Sequence, residues 1–149
     1  MTEAVEVARI ETQPIAIVRQ RVRVDELATV VPQACGAVWI FIRESGFAGA
    51  GRNVAVYYPR GDLLHVECGV EVTPEFVGNG EVSLSATPAG AVAHAVHIGP
   101  YGFLGETHRA IRSWCSARSH SLAGPNWEIY GHWTADESQL RTDVFYLLD

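Results

Sequence analysis

Long apolar runs, clustered basic residues and paired cysteines are what this sequence lacks, and each absence removes a class of function. No stretch reaches the roughly 18 uninterrupted apolar residues of a membrane-spanning helix. The opening residues, MTEAVEVARIETQ, hold no basic segment followed by an apolar block, so no secretion signal is expected. The 11 basic residues are scattered arginines set against 17 acidic residues, for a formal net charge of −6. Binding a phosphate backbone needs clustered cations, so direct nucleic-acid binding is not expected. Three cysteines, Cys35, Cys68 and Cys115, share no short spacing, which excludes a zinc site of the Cys-x-x-Cys kind. Their odd number, with no secretion signal, fits a reducing cytoplasmic compartment in which thiols serve as small core residues.

Metal and cofactor signals are equally sparse. His94 and His97 stand three apart in an expected strand and so point to opposite faces. His108 lies on an expected helix with no histidine or carboxylate four residues away, and His65 with Glu67 makes only an incomplete pair. Neither a metal nor a cofactor is expected. The glycine run Gly46 to Gly51 follows a helix and precedes a strand, the reverse of the order a dinucleotide fingerprint needs. No Gly-x-Ser-x-Gly elbow or phosphate loop occurs.

What is present is a core. The chain has 149 residues, 48% of them hydrophobic, enough for one domain. Residues 14–23 are rich in β-branched side chains and read as a strand. Asp25 offers a helix cap, and Leu27, Val30, Val31, Ala34, Val38 and Phe41 recur at helical spacing. Pro32 inside this run predicts a kink or a restart, and Gly46 a stop. Residues 53–58 and 64–72 read as strands. In the second of these Leu64, Val66, Cys68, Val70 and Val72 alternate with His65, Glu67, Gly69 and Glu71. A turn-rich stretch, residues 74–80, leads to a short strand at 81–86. The pattern then returns as a strand at 91–98, a helix at about 103–119, and strands at 127–132 and 142–148.

Strand, helix, strand, strand therefore occurs twice, in half-repeats at about 14–73 and 88–149. Pro14 matches Pro88 and Trp39 matches Trp114 at a nearly constant offset. The expected fold class is α+β: two half-repeats forming one curved antiparallel sheet, with two helices and a central ligand cleft at the seam. Residues 1–149 are read as one domain.

Glu128 is the leading candidate for chemistry. Alternation puts Glu128, Tyr130 and His132 on one strand face and Trp127, Ile129 and Gly131 on the other. A carboxylate among aromatics is costly to bury without a partner. Trp39, Tyr101 and Tyr146 supply the broad rings with polar tips that suit a pocket for a drug-sized molecule.

Three motifs, Thr87-Pro88-Ala89-Gly90, His97-Ile98-Gly99-Pro100-Tyr101 and Trp127-Glu128-Ile129-Tyr130, together resemble the GyrI-like small-molecule-binding family. That family also supplies the effector-binding domains of multidrug-sensing transcription factors. The resemblance implies two strand-helix-strand-strand halves with a ligand cleft in which Glu128 lies facing hydrophobic, often cationic, molecules. Trp39, His97, Tyr101, Tyr130 and Tyr146 join Glu128 as candidate ligand contacts. A subset of stand-alone members opens cyclopropane rings of DNA-alkylating natural products and shares a Trp, Tyr, Glu, Tyr order. Here that order is met by Trp39, Tyr101, Glu128 and Tyr146, which makes Glu128, Tyr101 and Tyr146 the candidate catalytic residues. A third reading is an interaction protein, a gyrase-inhibitor-like chain or a partner of a separate regulator. No helix-turn-helix is seen, so a stand-alone domain, monomer or homodimer, is expected. The stretch Gly131-His132-Trp133-Thr134-Ala135-Asp136 departs from the Asp-Pro turn of many relatives, which bears on loop geometry and ligand fit.

Overall fold

The computed structural model describes residues 1–149 as two compact units, each with four antiparallel strands and one long helix. One unit comprises residues 1–11 and 89–149; the other comprises residues 12–88. Antiparallel pairing throughout, with one helix in each unit, is the α+β class read from the sequence.

The first unit holds β1 (Glu6–Ile10), and the second holds β2 (Pro14–Val22), α1 (Leu27–Ser45), β3 (Ala50–Arg60), β4 (Leu63–Val72) and β5 (Ser83–Ala86). The chain then returns to the first unit for β6 (Gly90–Ile98), α2 (Leu104–Ala117), β7 (Leu122–Tyr130) and β8 (Arg141–Leu148). Strand order is β1-β6-β8-β7 in one unit and β3-β4-β2-β5 in the other. The leading strand of each half-repeat is thus exchanged: β1 precedes β2 but pairs with β6, and β5 precedes β6 but pairs with β2. Strand β1 falls in residues for which the sequence showed only the lack of a signal.

In the second unit α1 buries Val31, Ala34, Cys35, Val38 and Ile42. With Ala16, Val70, Val72, Phe76 and Val82, the last two of these apolar side chains build its core. By length and composition the segment Val24–Ser45 could cross a membrane. Its apolar stripe, however, packs on strands β2, β3 and β4 of its own unit. The helix does not restart at Pro32 but continues through it. Val31 before the proline and Ala34 and Cys35 after it are buried on the sheet, and that packing outweighs one lost backbone hydrogen bond. Asp25 makes no cap. It lies in a short 3-10 turn, and the Glu26 carboxylate instead accepts the Arg23 amide at 2.8 Å. At Gly46, φ of 73° ends α1 in the left-handed region glycine favours. Gly69 is required by close approach, since a Cβ there would lie 1.8 Å from the Ala16 carbonyl oxygen.

The core of the first unit is Ala93, Ala95, Leu104, Ile111, Cys115, Val144 and Tyr146. In α2 the buried positions Leu104, Thr107, Ile111 and Cys115 repeat the spacing of Val31, Ala34, Val38 and Ile42 in α1. Trp114 thereby answers to Phe41 rather than to Trp39, and His108 occupies the place held in α1 by Cys35. The Thr87-Pro88 motif has a backbone role. Thr87 donates its amide to the Gln13 carbonyl at 3.0 Å, and its hydroxyl accepts the Gln13 amide at 2.9 Å.

Candidate functional site

Strand β7 pairs with β8 so that Glu128 stands opposite Val144, Asn126 opposite Tyr146 and Tyr130 opposite Thr142. These side chains share the sheet face on which α2 lies. Trp127 is turned to the other face, fully buried, its ring stacked on Phe145 with centroids 5.3 Å apart. The alternation read from Trp127-Glu128-Ile129-Tyr130 therefore holds. It puts Glu128 against the helix, 5% exposed.

Donors from β7 and α2 meet its carboxylate. The Tyr130 hydroxyl donates to Oε1 at 2.5 Å, and His108 Nε2 lies 2.7 Å from Oε2. Both distances fall in the range of charge-assisted hydrogen bonds. A buried carboxylate without such partners would cost several kcal/mol, on the order of the penalty for an isolated ion. His108 is on α2, one position after the buried Thr107 and four before Arg112, so His108 and Arg112 lie on one helix face at the margin of the apolar stripe.

The proton positions follow from the chemistry of each group. Arg112 has only donors, so its Nη1 donates to the Tyr146 hydroxyl oxygen at 2.9 Å. The single phenolic proton of Tyr146 is then free for His108 Nδ1, 2.7 Å away. Nδ1 accepts it, which leaves the proton of a neutral imidazole on Nε2, aimed at Glu128. One tautomer satisfies the whole chain from Arg112 to Tyr146, His108 and Glu128. Burial raises the Tyr146 phenol above its ordinary value; Arg112 opposes this, and the Glu128 charge adds to it. Thr142, opposite Tyr130, is fully buried and its hydroxyl has no hydrogen-bond partner.

The structure thus brings together four of the sequence candidates. Glu128, Tyr130 and Tyr146 belong to one network, and Tyr101 meets Tyr130 edge-on with ring centroids 5.7 Å apart. Tyr101 is 41% exposed and forms the solvent side of that group. His97 is held elsewhere in the same unit. Its Nε2 donates to the Pro100 carbonyl at 3.0 Å, and Nδ1 accepts from the Thr107 hydroxyl at 2.8 Å. Thr107 in turn accepts from Thr2, with 2.6 Å between the oxygens. Both ring nitrogens are taken and the residue is 1% exposed, so His97 fixes the turn into α2. Trp39 lies in the other unit and donates its indole N–H to Asn53 Oδ1 at 2.6 Å.

His108 and Arg112 are the residues the sequence reading missed. No partner of His108 stands four residues along the helix; its partners lie 20 and 38 residues away in β7 and β8. The one local signal was a histidine with an arginine four residues on, beside an apolar stripe.

No curated protein matches the chain. Among solved structures, the C-terminal domain of EcmrR superposes with a TM-score of 0.79 at 14% identity, covering 98% of this chain and 97% of that one. A hydrolase from Listeria innocua gives 0.64 at 12% identity, covering 97% and 91%. SAV2435 bound to tetraphenylphosphonium gives 0.61 at 7% identity, covering 99% and 94%. At these identities the likeness is one of fold. Membership rests on the sequence itself: the model of the GyrI-like small molecule binding domain matches residues 3–148, and the chain belongs to that family.

Proposed function

We propose that the chain binds hydrophobic, cationic, drug-sized molecules beside Glu128. The observation that carries this reading is a carboxylate, 5% exposed, whose partners include a phenol and an imidazole. Such a group supplies charge to a cation that brings its own apolar surface, while Tyr101, Tyr130 and Tyr146 supply ring faces for stacking and cation–π contact. Family membership supports small-molecule binding, and a fold neighbour was solved with tetraphenylphosphonium bound. In this reading His97 acts by holding the Tyr101 turn. A net charge of −6 and buried cysteine thiols suit a small-molecule partner and a reducing cytoplasmic setting.

Calorimetry with a matched pair of probes tests the reading. Tetraphenylphosphonium carries a charge that triphenylphosphine oxide, of similar shape, lacks. Glu128→Gln is expected to weaken the cation by ~10-fold or more, as for loss of a buried charge contact, and to change the oxide by less than ~2-fold. Equal losses for both probes reject the role of Glu128.

A second reading is favoured by the His108 contact, which aligns Glu128 as a base. Hydrolytic opening of a strained cyclopropane would use Glu128 to take a proton from water. Tyr101 or Tyr146 would donate to the conjugated carbonyl as negative charge develops. A fold neighbour described as a hydrolase adds support. The check is mass analysis after incubation with a cyclopropane-bearing alkylator. A product one water heavier, formed faster than in buffer and lost in Glu128→Gln, is the expected result; formation at the buffer rate rejects it.

A further inference from the structure

We propose that His108 is a specificity-determining positioning residue: uptake of a cation beside Glu128 is coupled to loss of a proton from the His108–Glu128 pair, whereas uptake of a neutral molecule of the same shape is not. The inference rests on the cation-binding reading above and deepens it.

The geometry supplies two charge states for one arrangement of atoms. With the imidazole neutral, Nε2–H donates to Glu128 Oε2 at 2.7 Å and Nδ1 accepts from Tyr146 at 2.7 Å. With the imidazole protonated, Nε2–H still donates to Glu128, and Nδ1–H can donate to the Tyr146 oxygen, which has a second lone pair beside the bond from Arg112. No heavy atom need move: the Tyr146 proton turns away from Nδ1, and the pair carries one more positive charge. A cation seated against Glu128 opposes that extra charge across a few ångströms of water-poor interior, where charges are weakly screened. A neutral molecule meets no such opposition.

Charged and titratable groups around His108 come from every element packed on it. Strand β7 contributes Glu128 and Tyr130, and β8 contributes Tyr146. Its own helix contributes Arg112 and Cys115, the short turn before α2 contributes Tyr101, and β6 presents His97 on the same face. The corresponding position in α1 is Cys35, a buried thiol donating to the Gly69 carbonyl at 3.4 Å. Only one half-repeat carries the device.

Linkage fixes what is measured. If cation binding expels a proton, affinity for the cation rises with pH while the pair is protonated, by up to ~10-fold per pH unit, and levels off above that range. Calorimetric titration of the whole chain with tetraphenylphosphonium chloride, in buffers of different ionisation enthalpy from pH 5 to 8, counts the protons released. The expected result is up to one proton per site for tetraphenylphosphonium and none for triphenylphosphine oxide. His108→Gln keeps a side-chain N–H for Glu128 and is expected to retain binding while losing both the release and the pH dependence. In unmutated protein, NMR of the His108 ring should show its titration midpoint moving to lower pH on saturation with tetraphenylphosphonium, and not with the oxide. Release that persists in His108→Gln, or a midpoint that does not move, overturns the coupling. Tight, pH-independent binding of tetraphenylphosphonium overturns the coupling and leaves the reading of the site standing; absence of binding at every pH overturns the reading itself.

Discussion

Glu128 and Asp143 are both buried carboxylates on neighbouring strands, and their surroundings give them different uses. Asp143 lies on the sheet face opposite to Glu128 and is closed by His94 at 2.7 Å and by two bonds from Arg141 at 3.2 Å. Burial alone would raise its carboxyl. Hydrogen bonds from His94 and Arg141, with their charges, outweigh that and bring it down to about 2. A carboxyl depressed in the folded state adds stability above its unfolded value, ~3.9, and that contribution fades as pH falls toward 2. Asp143→Asn is therefore expected to lower the unfolding free energy at pH 6, read from guanidinium titration, by on the order of 1–2 kcal/mol. The gap from the parent should narrow as pH drops from 4 toward 2.5. An undiminished gap would show that Asp143 acts by packing. The sequence made Glu128 legible because a lone acid among Trp127, Ile129 and Tyr130 stands out. It hid His108, because a histidine at the edge of an apolar stripe gains meaning only once β7 and β8 are laid against the helix.

At the scale of elements, periodicity located both helices and the long strands, and it failed where long-range pairing decides. Strand β1 has mixed burial and little pattern of its own, and it exists because Glu6 to Ile10 pair with His94 to Gly90. Strand β7 begins at Leu122, well before the expected start, with a register shift between Leu122 and Asn126 that absorbs Gly124 and Pro125. Pro32 misled in the other direction. Local chemistry favours an interruption, yet α1 continues past it with Val31, Ala34 and Cys35 buried on either side. Pro32→Ala restores a donor to the Ala28 carbonyl and is expected to stabilise the chain by ~1 kcal/mol, since helix propensity favours alanine while the freer unfolded chain gives part of that back. Equilibrium unfolding in urea checks the sign; a lower midpoint would mean that the proline ring itself packs.

Across the whole molecule, the duplication is what the sequence showed best, and its asymmetry is what it concealed. The two helices bury equivalent positions, but the second half-repeat alone replaces a buried thiol with His108 and surrounds it with Glu128, Tyr130 and Tyr146. The proposed site draws on one half of the repeat, which leaves the other half free to keep an apolar core. Ligand binding to the folded chain alone should raise its melting temperature. At a hundredfold excess over Kd the gain is about 2.7 kcal/mol, or roughly 5–10 °C for a chain of this size. Tetraphenylphosphonium is expected to give that rise in the parent and little in Glu128→Gln. A shift unaffected by the substitution would place the cation elsewhere.

A crystal structure grown with tetraphenylphosphonium tests the central claim most directly. The account expects the phosphonium in contact with the Glu128 carboxylate, its phenyl rings against Tyr101 and Tyr130, and His108 still bonded to both Glu128 and Tyr146. A cation seated away from Glu128, or a Glu128 side chain turned out into solvent, would contradict it.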